Sequence, residues 1–367
     1  MTRILQVPVL GKKVVFGLKN ASASIGLSVQ DVVEREEFKV HKPKNSNLSF
    51  ISKLFFFVSP VLTSVFWNLF FSWNLESLSK RTTAKIDAYV SEVKFRINSS
   101  SDTRKKVLQA QKEIQKLHIP VLEILPLSAA GMASFGMIKQ LLPKNQEFIN
   151  DIDALRKGLL GNVTTEMDLA IGDLADLARQ SLVVKTWLEK GENLNLMGLE
   201  EVNGTRFNES FVEFLKQFGC RANSEIDISR PRWIDEPTPI LNVIRGNLSN
   251  SVAGNHRAHH KMLMLEGEKA SKRILTASPW YKRPLLKRLI RVGRNLGALR
   301  EHHKFLMVQV LFQVRLAILE MAELLKEQGS IRLIDDVWFL TMNELTQVLD
   351  WENSLVLDLI DKRREEF

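Results

Sequence analysis

The sequence predicts a mainly α, multi-helix domain preceded by a short irregular or β segment, and three observations predict it. The 367 residues are 45% hydrophobic, enough to bury a substantial core. Beyond Leu75 the apolar residues recur at helical spacing, and no strand-period run appears for many residues. Turn signals such as NSSSD at 98–102 punctuate these periodic stretches and supply capping residues for the next helix.

Taken in order, residues 1–34 hold short apolar runs, VPVL and KKVVFGL, broken by Gly11, Gly17 and Gly26, which reads as strand or irregular chain. Residues 35–330 form the expected helical body, and 331–367 a C-terminal helical linker. A helix is expected to start near Ser49, after a charged connection containing Pro43. From Leu54 to Leu75 there is no charged residue, a length that can cross a bilayer as a helix. Pro60, Asn68 and Asn74 argue against that use, so membrane anchoring and burial within a soluble fold both stay open. The apolar stretch 118–142 carries Ala129, Ala130, Gly131, Ala133, Ser134 and Gly136, small residues that let helices approach closely or let a bulky ligand meet backbone. NVTTEMDLAIGDLADLARQ from Asn162 places Met167, Ile171, Leu174 and Ala178 on one face, with Thr164 or Thr165 as the expected N-cap. Further helices are expected at about 208–219, 255–275, 284–329 and 342–366. Pro284, Gly293 and Gly297 point to a division of the third of these into two.

The formal charge of +9 favours anionic partners. Ten Lys and Arg residues between Lys269 and Arg300 stand without one acid, and Lys287, Arg291 and Arg294 recur at four and three residues, so one helix face can meet phosphate groups. With Arg288 and Arg300, these are the candidates for contact with an anion or a partner domain; the alternative is a solvated basic face. Nucleic acid is a poor match, since only Trp280 and Tyr281 interleave the run. No nucleophile elbow, Walker loop or dinucleotide fingerprint occurs. His256, His259 and His260 lack a Cys or carboxylate at ligand spacing, so no metal site is expected. The single cysteine, Cys220, excludes an intramolecular disulfide and fits a reducing, cytoplasmic setting.

Arg221, Glu225, Asp227, Arg230, Arg232, Asp235 and Glu236 crowd a segment rich in Pro and Trp, a combination suited to a loop held by Arg–carboxylate pairs. Arg221, Glu225, Asp227 and Arg232 are the structural-loop candidates. The same segment, FGCRANSEIDISRPRW, resembles the Gly-His-Arg-Gly, Glu-(Ile/Leu)-Asp-Leu and Pro-Arg-Trp pattern of rifampicin phosphotransferases and phosphoenolpyruvate-synthase-like proteins. Three blocks agree in order: GNVTTEMDLAIGDLADLA at 161–178, LREHHKF at 299–305 and DDVWFLTMNEL at 335–345. The resemblance spans roughly residues 30–367.

That resemblance implies the middle of three domains, the helical one that binds the acceptor. An ATP-grasp domain and a swivelling phosphohistidine domain supply the chemistry in that family. The sequence shows neither glycine-rich ATP-binding segments before residue 30 nor a Ser-His-Ala phosphohistidine motif. No cofactor is therefore expected on this chain, no catalytic residue is assigned, and ATP and magnesium are expected only on domains supplied in trans. A split gene product, a truncated relative or one component of a complex would each fit, and the alternative is a non-catalytic protein that binds or sequesters a hydrophobic ligand. The partner implied is a hydrophobic, hydroxylated small molecule, and Phe57, Trp67, Phe71, Met132, Phe135 and Met137 are the pocket candidates, because aromatic and Met side chains bury much area at little polar cost. Two departures stand out: Cys220 replaces the family's histidine after Phe-Gly, and Ala222 the glycine next in that pattern.

Overall fold

A computed structural model describes residues 60–250 and 254–366, and every regular element among them is helical. Phe57, the segment 1–34 and the start expected near Ser49 lie outside the described residues. The chain runs through α1 (Pro60–Phe70), α2 (Leu75–Asn98), α3 (Thr103–Lys116), α4 (His118–Leu141), α5 (Gln146–Leu155), α6 (Val163–Gln180) and α7 (Leu182–Lys190). It continues through α8 (Arg206–Phe218), α9 (Thr238–Asn250), α10 (Asn255–Ala277), α11 (Arg283–Leu296), α12 (His302–Glu327), α13 (Met342–Leu345) and α14 (Asn353–Glu366).

Local chemistry sets most of these boundaries. Within the apolar run, α1 stops at Phe70, and the Asn74 side chain accepts from the Ser77 backbone N–H to open α2. Asp102 caps α3 through Arg104 and Lys105. The cap of α6 is Asn162 rather than either expected threonine; its Oδ1 accepts from both Thr164 N and Thr165 N at 3.1 Å. Those threonines sit inside the first turn, too far in to cap. The 284–329 stretch divides as its glycines imply, into α11, a 3-10 turn Gly297–Glu301, and α12. The C-terminal helix expected over 342–366 is instead interrupted: Thr341 and Glu344 close a capping box on the short α13, and a 3-10 turn, Val348–Asp350, precedes α14.

Among the described residues three apolar clusters make the core. One joins α2, α3 and the C-terminal elements to the α12 face bearing Leu306, Val310, Val314 and Met321. A second lies among α6, α7, α8 and α9, where Phe207, Phe211, Phe214 and Phe218 share one face of α8 and neighbouring rings stack at 5.8 and 6.2 Å. The third packs α4 and α5 against α10 and α11. Phe305 and Val308 carry α12 into the second cluster, so this one helix backs two of the three.

Two helical stretches, Thr103–Leu141 and Arg283–Glu327, are long and apolar enough to cross a membrane, but 50% and 61% of their most apolar windows are buried inside the fold. Close packing explains Gly131 and Ser134 of α4, whereas a Cβ on Gly136 would meet open space. A Cβ on Gly131 would overlap the backbone of Leu296 and Gly297, and one on Gly293 would press on Ser134 and Phe135. The small side chains thus let α4 and α11 meet almost backbone to backbone.

Candidate functional site

The α4–α11 crossing sets the floor of a cleft of about 680 Å³. Met132 and Phe135 come from α4, Leu159 from the loop after α5, Leu263 from α10, and Gly297 from the 3-10 turn. Gly297 has to be small here, since a Cβ would sit 3.2 Å from the Phe135 ring and 3.5 Å from Leu159. The loop is pressed against α10 at Gly158, whose φ of +58° suits glycine and whose Cβ would overlap the backbone of Met264.

Polar groups ring this apolar floor. Arg156 and Lys157 rise from the loop, and the Arg156 guanidinium lies 5.6 Å from the Phe135 ring centre. Thr164 and Thr165 stand in the first turn of α6, where the helix dipole favours negative charge. Asn162 also donates to Ala298 O at 3.3 Å, which ties the start of α6 to the 3-10 turn. Across the cleft Arg300 donates to Glu301 at 2.8 Å, and His260 faces in from α10. An apolar floor with a few convergent polar groups is the usual form of a small-molecule site, and this volume lies within the usual range of roughly 300–1,000 Å³.

A largely buried ion network holds the 221–236 loop. Glu225 meets Arg221 at 3.0 Å and Lys304 at 2.6 Å, and Arg221 lies 4.9 Å from the Phe305 ring centre. Arg232 is completely buried and donates to Glu225 O at 3.0 Å and Asp227 O at 3.1 Å. Burial lowers its pKa, yet a guanidinium stays charged. Arg221 and Glu225 thus fasten the loop to α12 and Arg232 closes the loop on itself, whereas Asp227 contributes its carbonyl to Arg232 and turns its carboxylate to Ser229 and Arg230.

The other sequence candidates scatter. Met132, Phe135 and Arg300 meet in the cleft; Trp67, Phe71 and Met137 do not line it. Trp67 and Phe71 are 61% and 46% exposed at the end of α1, and Met137 packs in the third core cluster. The expected basic face of α11 is divided. Arg288 is spent on the open C-terminal end of α1, donating to Leu69 O at 2.8 Å and Asn68 O at 2.7 Å. Arg294 is half-buried against Gly267 and reaches Leu155 O at 3.4 Å, so it does not join Lys287 and Arg291 on an exposed face. Lys287 and Arg291 remain in solvent.

His256 pairs with Asp173 at 2.9 Å. Burial pushes the His302 imidazole below its ordinary pKa and that of the Cys220 thiol up to about 12, so neither offers a charged or nucleophilic group at neutral pH. Sequence reasoning missed Arg156, Lys157, His260 and Glu301. Asn162, Thr164, Thr165 and Glu301 fall inside the GNVTTEMD and LREHHKF blocks, which were the available signal.

Residues 123–301 match the family described as the rifampicin phosphotransferase fourth domain. Both walls of the cleft lie within that span. The chain carries a central helical domain of the rifampicin phosphotransferase family. A rifampicin phosphotransferase of Bacillus subtilis (strain 168) is 28% identical over 73% of this chain and 32% of its own length. That of Streptomyces sviceus is 30% identical over 60% of this chain and 26% of its own. The prodigiosin synthesizing transferase PigC of Serratia marcescens is 25% identical over 49% of this chain and 20% of its own. The chain thus spans about a third or less of the length of the curated relatives it matches.

Proposed function

We propose that this phosphotransferase-family domain binds the acceptor of an ATP-dependent phosphoryl transfer, a hydrophobic hydroxylated compound held in the cleft between α4, α10 and the turn 297–301. The observation that carries the reading is the meeting, in one cleft of about 680 Å³, of an apolar floor with Arg156, Lys157, Arg300 and His260. The floor takes the apolar body of the acceptor. The cations and the first turn of α6 face a phosphoryl group arriving at its hydroxyl. Of the lining side chains, His260, Lys157 and Glu301 are of types that serve as a general base; Glu301 is held by Arg300, and His260, whose type ordinarily titrates nearest neutrality, is the one we assign to receive the hydroxyl proton.

Among the described residues no group of three or more His, Cys, Asp or Glu lies together as a metal-binding cluster. Nucleotide and phosphohistidine would come from other domains in a cytoplasmic assembly, and the domain alone would bind without transferring. The names of the relatives support an acceptor that is large and lipophilic, and a rifamycin is the probe of choice. Calorimetry should give one rifamycin per chain, weakened about tenfold or more by Phe135→Ala and by Arg300→Glu. Equal binding by both variants would remove the acceptor from this cleft.

A further inference from the structure

Two parts of the acceptor cleft come from segments far apart in the chain, and one side chain joins them. Thr164 and Thr165 stand in the first turn of α6, whereas Arg300 and Glu301 stand on the 3-10 turn Gly297–Glu301. Asn162, itself a lining residue, is bonded to both segments. Its Oδ1 accepts from Thr164 N and Thr165 N, each at 3.1 Å, and its Nδ2 donates to Ala298 O at 3.3 Å, 136 positions along the chain. Gly161, at a φ of +74° that suits glycine, turns the chain immediately before it.

The chemistry of the amide makes this double attachment specific. Ser, Thr, Asp and Asn all cap a helix well, but an ionised Asp has no donor, and Ser or Thr has a single short hydroxyl for both tasks. Among these four only Asn carries an acceptor and a donor on separate atoms. Capping alone therefore does not call for an amide at 162, whereas the bond to Ala298 does. Along the turn, Ala298 and Leu299 are wholly buried and Arg300 emerges at the cleft. The carbonyl that Asn162 holds is thus two residues from the cation placed beside the acceptor. Resting on the acceptor reading of this cleft, we infer that Asn162 is a positioning residue of the site: its amide fixes the 297–301 turn against the start of α6 and so sets where Arg300 meets the bound molecule. The Oδ1 bonds serve the helix, and the Nδ2 bond serves the site.

Two variants of the whole chain separate the two kinds of bond. Asn162→Ser and Asn162→Asp both keep a cap on α6 and both lose the bond to Ala298, the first without a new charge and the second with one. In the free protein each should leave amide exchange at the start of α6 slow while speeding it over 297–303. Calorimetry with a rifamycin should show binding weakened about three- to tenfold by either variant. In an Arg300→Ala background, Asn162→Ser should cost less than about twofold, because the two substitutions act on one unit. A purely structural role for Asn162 would give the same loss with and without Arg300. An unchanged affinity in both Asn162 variants, an equal loss in the two backgrounds, or a loss confined to Asn162→Asp would overturn the inference while leaving the acceptor in the cleft. Absence of rifamycin binding, or binding unchanged by Phe135→Ala, would instead remove the acceptor reading and this inference with it. Should Asn162→Ser fail to fold, Asn162→Asp carried through the same two backgrounds decides.

Discussion

Arg232 shows how one side chain holds a loop closed on itself. Its guanidinium closes the turn by meeting two backbone carbonyls that would otherwise be buried without donors. Arg232→Met preserves volume but strands those carbonyls, so it should cost about 2–4 kcal/mol in a denaturant melt. For single residues the sequence was informative about charge and poor about direction. The crowding of Arg with acid in 221–236 revealed a fastened loop, but nothing in the spacing of Lys287, Arg288, Arg291 and Arg294 showed that two of the four are drawn onto backbone carbonyls. That outcome depends on where the end of α1 and the end of α5 lie, which is tertiary information. His260 went unassigned for the same reason: a histidine in a solvated-looking basic stretch becomes a cleft residue only once α4 packs opposite it.

Among the elements, the α4–α11 crossing places the acceptor cleft. Helix periodicity and the division at Gly297 were legible because glycine and proline act locally, although α11 runs on through Gly293. The interruption between α13 and α14 was not, since it rests on a capping box that competes with an otherwise helical pattern. The run of small residues in α4 had two readings, close packing or a ligand seat. Packing accounts for Gly131, which admits the 297 backbone, while its neighbours Met132 and Phe135 line the cleft. Gly131→Val inserts volume where backbone already touches, so it should destabilise by about 1–3 kcal/mol, read as a lowered thermal midpoint. It should also weaken rifamycin binding, because the turn that carries Arg300 must move away.

The described residues pack as three clusters, two of them backed by α12, with the C-terminal elements tied on by ion pairs. Arg363 reaches from α14 to the Glu344 carboxylate at 2.7 and 2.8 Å and to Phe339 O at 2.6 Å. The bond from Arg363 draws the Glu344 pKa down to about 2. A carboxyl with a depressed pKa contributes stability that is complete above the unfolded value of about 4.3 and is lost as pH falls through the folded value. The end of the chain should therefore loosen between about pH 4.3 and about pH 2, and Glu344→Gln should remove that part of the acid transition while costing stability at neutral pH. Comparing the two proteins by circular dichroism in acid checks this.

Amide hydrogen exchange with and without a rifamycin decides whether the acceptor lies between α4, α10 and the turn before α12. Bound there, it should slow exchange over 156–165, 258–264 and 297–303 and leave the 78–127 region unchanged. Protection confined to 78–127, or none in the three cleft segments while the ligand is bound, would contradict that placement.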